Sequence, residues 1–180
     1  MFGKIVLWST VLLIGALIIA FNLRERTTFE FKEDEFMASI SKRQEKQIKD
    51  GGPWKVARYK RTETDSDKSI YNFGRDVELT VHKYDGGKVE SIRIKYPLSR
   101  AYDETIVLTT ARAILFTLFD YNRIPLSDVS TVTQEILAVM MEPLDKRQEC
   151  PKTTFHSDSI FMSVWPKVGE ITFLPKTKKK

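Results

Sequence analysis

The stretch VELTVHKYDGGKVESIRIKY, residues 77–96, decides the fold class. Val77, Leu79 and Val81 alternate with Glu78, Thr80 and His82, the two-residue period of a strand that buries one face. Tyr84-Asp85-Gly86-Gly87-Lys88 supplies turn residues that tolerate positive φ, and Ile92, Ile94 and Tyr96 then resume the alternation against Arg93 and Lys95. Pro97 has no N–H to donate to a ladder and closes the unit. The spacing predicts an antiparallel hairpin with one apolar face.

Two helical patterns follow it. Asp103 can cap a helix that runs to about Phe119, and its apolar residues, from Ile106 to Phe119, surround nearly the whole cylinder. Such a helix must be buried. It contains Arg112 and is too short to span a bilayer, so it reads as a core helix under the sheet rather than a second transmembrane segment. The stretch Asp120 to Pro125 turns the chain. Ser127 then caps a second helix in which Val129, Val132, Ile136, Val139 and Met140 recur at helical spacing, with Pro143 just beyond its end. Alternation returns in Ile160 to Trp165, turns around Pro166 to Gly169, and ends in Ile171 to Leu174, predicting a terminal hairpin.

Working upstream, Trp54 to Arg61 reads as a peripheral strand and Thr62 to Ser69 as a polar loop. Glu33 to Lys49 reads as a helix with Glu33, Asp34 and Glu35 at its start and Lys42, Arg43, Lys46 and Lys49 towards its end, the order that complements the helix dipole. Its apolar stripe of Phe36, Met37, Ile40 and Ile48 is sparse, and packing on its own domain is the default for it. Asp50-Gly51-Gly52-Pro53 breaks it.

At the N-terminal end, IVLWSTVLLIGALIIAF, residues 5–21, carries no charge. As a helix this run spans roughly 25 Å, enough with its flanks for the ~30 Å hydrocarbon core of a bilayer. It is longer than a signal-peptide h-region. Cleavage after Ala20 would put Ile18 where a small residue is preferred, so a retained anchor is favoured over a cleaved signal. Lys4 on one flank faces Arg24, Arg26 and Lys32 on the other, so the positive-inside rule does not decide the orientation. A short N-terminal tail before a long apolar run resembles an export signal, and this favours a C-terminal domain outside the cytoplasm.

These readings describe an α+β chain: an N-terminal transmembrane helix, then one small domain with an antiparallel sheet covered on one face by two helices. The expected divisions are residues 1–23 as anchor or signal segment, 24–53 as stalk helix and linker, 54–175 as the α+β domain, and 176–180 as a basic tail. The net charge of +5 comes from Lys4, Lys176, Lys178, Lys179 and Lys180, while the rest balances. That argues against a nucleic-acid partner. Cys150 is the lone cysteine, so no internal disulfide is possible, and its QECPK setting reads as a bystander loop thiol.

Chemistry is sparse. Only His82, on the polar face of a strand, and His156, in a loop before Asp158, are available as histidines, and two ligands without a third make no metal site. No nucleophile elbow, zinc-protease, phosphate-loop or CxxC pattern occurs. No catalytic, cofactor-binding or metal-binding residue is therefore assigned. One asymmetry remains: Lys42, Arg43, Lys46, Lys49, Lys55, Arg58, Lys60 and Arg61 face only Glu45 and Asp50 over the same stretch. The plain reading is a solvated helix end running into an edge strand, where basic residues discourage sheet-to-sheet pairing. The sharper reading makes Lys42, Arg43, Lys46, Lys49, Arg58, Lys60 and Arg61 a contact for anionic lipid or an acidic partner.

The function expected on this basis is a non-catalytic binding or assembly module of the cell envelope, accessory to a larger membrane complex. It would be single-pass in the inner membrane with a periplasmic domain, with the membrane and another envelope protein as partners and no cofactor. The inference rests on an anchor combined with missing catalytic signals. Two alternatives stand beside it. One is an exported enzyme whose site only the fold assembles, secreted or periplasmic after cleavage near Ala20. The other is a cytoplasm-facing domain that binds nucleic acid or anionic lipid.

Overall fold

A computed structural model describes residues 27–49, 59–98, 104–121, 124–142, 144–146, 152–156 and 160–176. The apolar run at 5–21, Cys150, Asp158 and the lysines at 178–180 lie outside the described residues, and so do Lys55 and Arg58. Among the described residues no helix is long and apolar enough to cross a membrane.

The predicted hairpin forms the middle of the sheet. Strand β3 (Glu78–Tyr84) pairs antiparallel with β4 (Lys88–Lys95), with Leu79 opposite Ile94 and Val81 opposite Ile92. Gly86 and Gly87 take φ of +69° and +81° in the turn, a conformation that costs glycine nothing. The terminal hairpin also forms where alternation places it, as β6 (Ile160–Trp165) and β7 (Glu170–Pro175), and β7 pairs with β4. The turn between them depends on Gly169. Its φ is +69°, its carbonyl accepts from Tyr96 N–H at 2.8 Å, and a Cβ there would sit 2.1 Å from the Tyr96 carbonyl oxygen.

Outside these hairpins the sheet is larger than alternation indicates. It has seven strands in the order β1-β2-β3-β4-β7-β6-β5, with antiparallel pairing throughout. The expected loop at Thr62 to Ser69 is instead the end of β1 (Lys60–Thr64), a turn, and the start of β2 (Lys68–Asn72). The strand expected at Trp54 to Arg61 has its first five residues outside the described ones, and the strand seen begins at Lys60. The physical reason for the difference is that β1, KRTET, is exposed along its whole length and is held by ladder hydrogen bonds rather than by an apolar face. In β2 the inward positions are Ser69 and Tyr71 while Ile70 points the other way, which inverts the apolar signal. His156 lies at the end of β5 (Lys152–His156), not in a loop.

Two rows of cross-strand neighbours build the buried face. One runs Tyr71, Leu79, Ile94, Ile171, Val164, and the other Ser69, Val81, Ile92, Phe173, Met162. All ten are buried. At about 2–3 kcal/mol for each large apolar side chain removed from water, these rows are a main source of the sheet's stability.

Three helices, not two, cover this face. Helix α1 (Glu33–Lys49) has the bounds that its charge order predicts, and it contributes Phe36, Met37 and Ile40 to the same core. The chain ahead of it adds Phe29 and Phe31, stacked on one another at 5.0 Å with Phe31 stacked on Phe36 at 5.4 Å. Phe29 N–H donates to the Val89 carbonyl at 2.7 Å and Val89 N–H to the Phe31 carbonyl at 3.3 Å, so this entry segment is tied to the start of β4. The N–H of Lys32 donates to Glu35 Oε2 at 3.0 Å, one half of a capping box. Helix α2 (Glu104–Asp120) lies between α1 and α3 (Leu126–Met140), as its all-round apolar pattern requires. The buried residues of α3 are Val129, Val132, Ile136, Val139 and Met140, the set picked out by periodicity. Its cap differs from expectation. Pro125 holds the cap position and Ser127 lies inside the first turn, bonded to Asp128 Oδ1 at 3.1 Å.

Candidate functional site

The basic stretch divides once the fold is in place. Arg43 is committed to the helix layer: it is ion-paired with Asp120, donates to the Phe116 carbonyl at 3.1 Å, and holds its guanidinium 5.1 Å from the Phe116 ring. Arg61 is committed to the sheet edge, where it donates to Glu33 Oε1 and to Ser69 Oγ at 3.1 Å each and lies 5.7 Å from the Tyr71 ring. Lys42, Lys46 and Lys60 are exposed. Lys49 ends α1, its side chain outside the described set, as Arg58 is altogether. Arg43 and Arg61 thus act within the fold, and among the described side chains of the set Lys42, Lys46 and Lys60 are left to solvent.

The most concentrated chemistry is a buried network with no signal in the sequence. Glu33, at the first turn of α1, has a side chain only 7% exposed. It accepts from the Tyr71 hydroxyl, from Arg61, and from Lys83 Nζ at 3.2 Å. Burial pushes the Glu33 carboxyl up, but hydrogen bonds from Tyr71, Ser69 and Lys83, with the Lys83 charge, outweigh it and hold the group below its ordinary value. Burial and the bond to Glu33 push the Tyr71 phenol up. Lys83 completes its three donors on the Asp65 carbonyl at 2.9 Å and Ser69 Oγ at 3.0 Å.

A serine hydroxyl 3.0 Å from a lysine amine has the composition of a Ser/Lys nucleophile pair, and the geometry here opposes that chemistry. Lys83 is an ammonium with every proton engaged, so it has no lone pair to take the serine proton. Ser69 accepts from both Arg61 and Lys83, and it is fully buried. The network fixes α1 to β2 and β3. Sequence could have pointed to it only through the inward-facing phase of Lys83 next to a bulge, and the register shift between His82 and Lys83 is visible only in the ladder.

His82 is half-buried on the outer face of the sheet opposite Ser91, and burial with Arg93 beside it pushes its imidazole below the ordinary value. Among the described residues no group of three or more His, Cys, Asp or Glu could hold a metal ion.

The outer surface of the helix layer carries a groove. Leu108, Thr109 and Arg112 of α2 face Ser130, Thr133, Gln134 and Leu137 of α3 around a volume of about 210 Å³. Leu137 is 39% exposed on its rim and Met141, one turn on, is 61% exposed. Arg112 is the groove's charged residue. Its guanidinium rests 5.5 Å from the Phe116 ring, and among the described residues it has no carboxylate partner. No protein-family model matches the chain, and comparison with curated proteins and with solved structures gives no match either, so the groove and the network have to be read from their own geometry.

Proposed function

We propose that this chain is a membrane-tethered binding module, a non-catalytic accessory domain of the cell envelope that attaches to a larger membrane complex. The observation that carries the reading is how soon the fold begins after the apolar run. Phe29 already bonds to β4, so residues 22–28 are the whole connection between residues 5–21 and the sheet. Seven residues reach at most about 25 Å when fully extended. A retained anchor would therefore hold the domain against the bilayer, where its partners would themselves be membrane-bound. The saturated Ser69, Lys83 and Glu33 network favours binding over catalysis, because the buried polar groups there are spent on one another.

Alkaline extraction of cell membranes tests the tether: the full chain stays in the pellet, and a variant lacking residues 2–21 moves to the supernatant. A mature chain whose N-terminus maps near Phe21 would overturn it. For orientation, Val168→Cys in a Cys150→Ser background puts a thiol on the exposed β6–β7 turn. Reaction with an impermeant maleimide in intact cells supports the periplasmic side, and reaction only after lysis overturns it in favour of the cytoplasmic side.

A further inference from the structure

We infer that the groove between α2 and α3 is the docking site of this module and that its occupant is an acidic amphipathic helix of a partner protein. The inference rests on the reading of the chain as a binding module and gives it a surface and a ligand chemistry.

Size argues first. Pockets for small molecules run to roughly 300–1,000 Å³, and this groove holds about 210 Å³. That space suits one or two apolar side chains pressed in from a helix laid along it, the helix-in-groove mode in which residues one turn apart act as anchors. The walls supply the complement: Leu108 and Leu137 are apolar, and Met141, a polarizable and adaptable side chain, extends the apolar track along α3.

Charge then selects the partner. Arg112 is half-buried at the groove with an aromatic ring under it and no carboxylate beside it among the described residues. A guanidinium held over a ring with no acid beside it has N–H groups to offer an incoming carboxylate. On the α1 side of Phe116, Arg43 flanks the same ring but is paired with Asp120, so the exposed cation of that margin is Lys46, one turn further along α1. An incoming helix with leucines on one face and glutamates along its border satisfies both features. A basic helix would bring like charge to Arg112.

The test uses the full chain in nanodiscs of neutral phosphatidylcholine and two fluorescein-labelled helical peptides as probes. Both carry a leucine face, one bordered by glutamate and the other by lysine, and binding is read by fluorescence anisotropy. We expect saturable binding of the glutamate peptide and at least about tenfold weaker binding of the lysine peptide. Arg112→Glu reverses the preference, Leu137→Glu weakens binding of the glutamate peptide about tenfold or more, and Val168→Glu, on the exposed β6–β7 turn and not among the groove's lining residues, changes nothing. If Arg112→Glu disturbs the fold by circular dichroism, Arg112→Gln serves instead, with loss of glutamate-peptide binding and no gain for the lysine peptide.

Equal binding of the two peptides, or unchanged binding in a folded Arg112 variant, overturns the inference. So does concentration-dependent self-association that Leu137→Glu abolishes and the glutamate peptide does not compete with, because a second copy would then be the occupant. Failure of the tether is separate from all of these, since it shows in alkaline extraction and not in peptide binding.

Discussion

Replacing Glu33 by glutamine removes one charge from the centre of the buried network and leaves its shape nearly intact. Lys83, 9% exposed, then keeps its bonds to the Asp65 carbonyl and Ser69 Oγ but loses its counter-ion. Breaking a buried pair from one side costs about 3–5 kcal/mol. The two remaining dipoles on Lys83 place this case at the lower end. Arg61 adds little, because its side chain is 45% exposed and water can solvate it. The expected loss is about 3 kcal/mol, or roughly 6–12 °C in Tm for a chain of this size. Urea unfolding of the detergent-solubilised full chain, followed by tryptophan fluorescence and circular dichroism, measures it. The pH dependence has a definite sign. The folded carboxyl lies below its ordinary value of 4.5, so its contribution is complete above the unfolded pKa and is lost as pH falls through the folded one. The gap between wild type and Glu33→Gln is therefore full at neutral pH and closes in the acid range below 4.5. A loss under about 1 kcal/mol at pH 7, or a gap that stays the same from neutral pH into the acid range, would refute the assignment of Glu33 as the anion that holds Lys83.

Gly169→Ala should destabilise the domain by about 2 kcal/mol or more, since it combines a left-handed φ with a clash on the Tyr96 carbonyl; thermal unfolding reads the loss, and a change below about 0.5 kcal/mol would mean the turn relaxes freely. Ile94→Ala removes a fully buried side chain flanked by Leu79 and Ile171, with an expected cost of about 2–5 kcal/mol in the same assay. Arg43→Ala at the half-exposed pair with Asp120 should cost about 1 kcal/mol or less. The double exchange Lys42→Gln with Lys46→Gln, at exposed positions on α1, should shift stability by under about 0.5 kcal/mol.

Legibility followed the source of each element's stability. The two hairpins that bury alternating Leu, Val, Ile and Phe were readable because their burial and their period are the same fact. Helix α3 was readable for the same reason at period 3.6, down to its five buried residues, and α1 through charges ordered along its dipole. The first two strands were not. In β1 nothing is buried, and in β2 the inward residues are a serine and a tyrosine whose hydroxyls belong to a charged network. Of the basic residues singled out from the sequence, Arg43 and Arg61 proved to be internal ties, because a run of like charge does not reveal which members will meet an acid from another element.

The sequence by itself determined the α+β class, the central and terminal hairpins, the covering helices and the charge-free run that motivates the tether, because each depends on neighbours within a few residues. Only the tertiary structure decided the seven-strand order, the meeting of Glu33 with Tyr71, Arg61 and Lys83, and the groove where Arg112 faces α3. Those features join residues tens of positions apart, and their energies come from desolvation and long-range pairing. Periodicity, a property of adjacent residues, carries no record of such contacts.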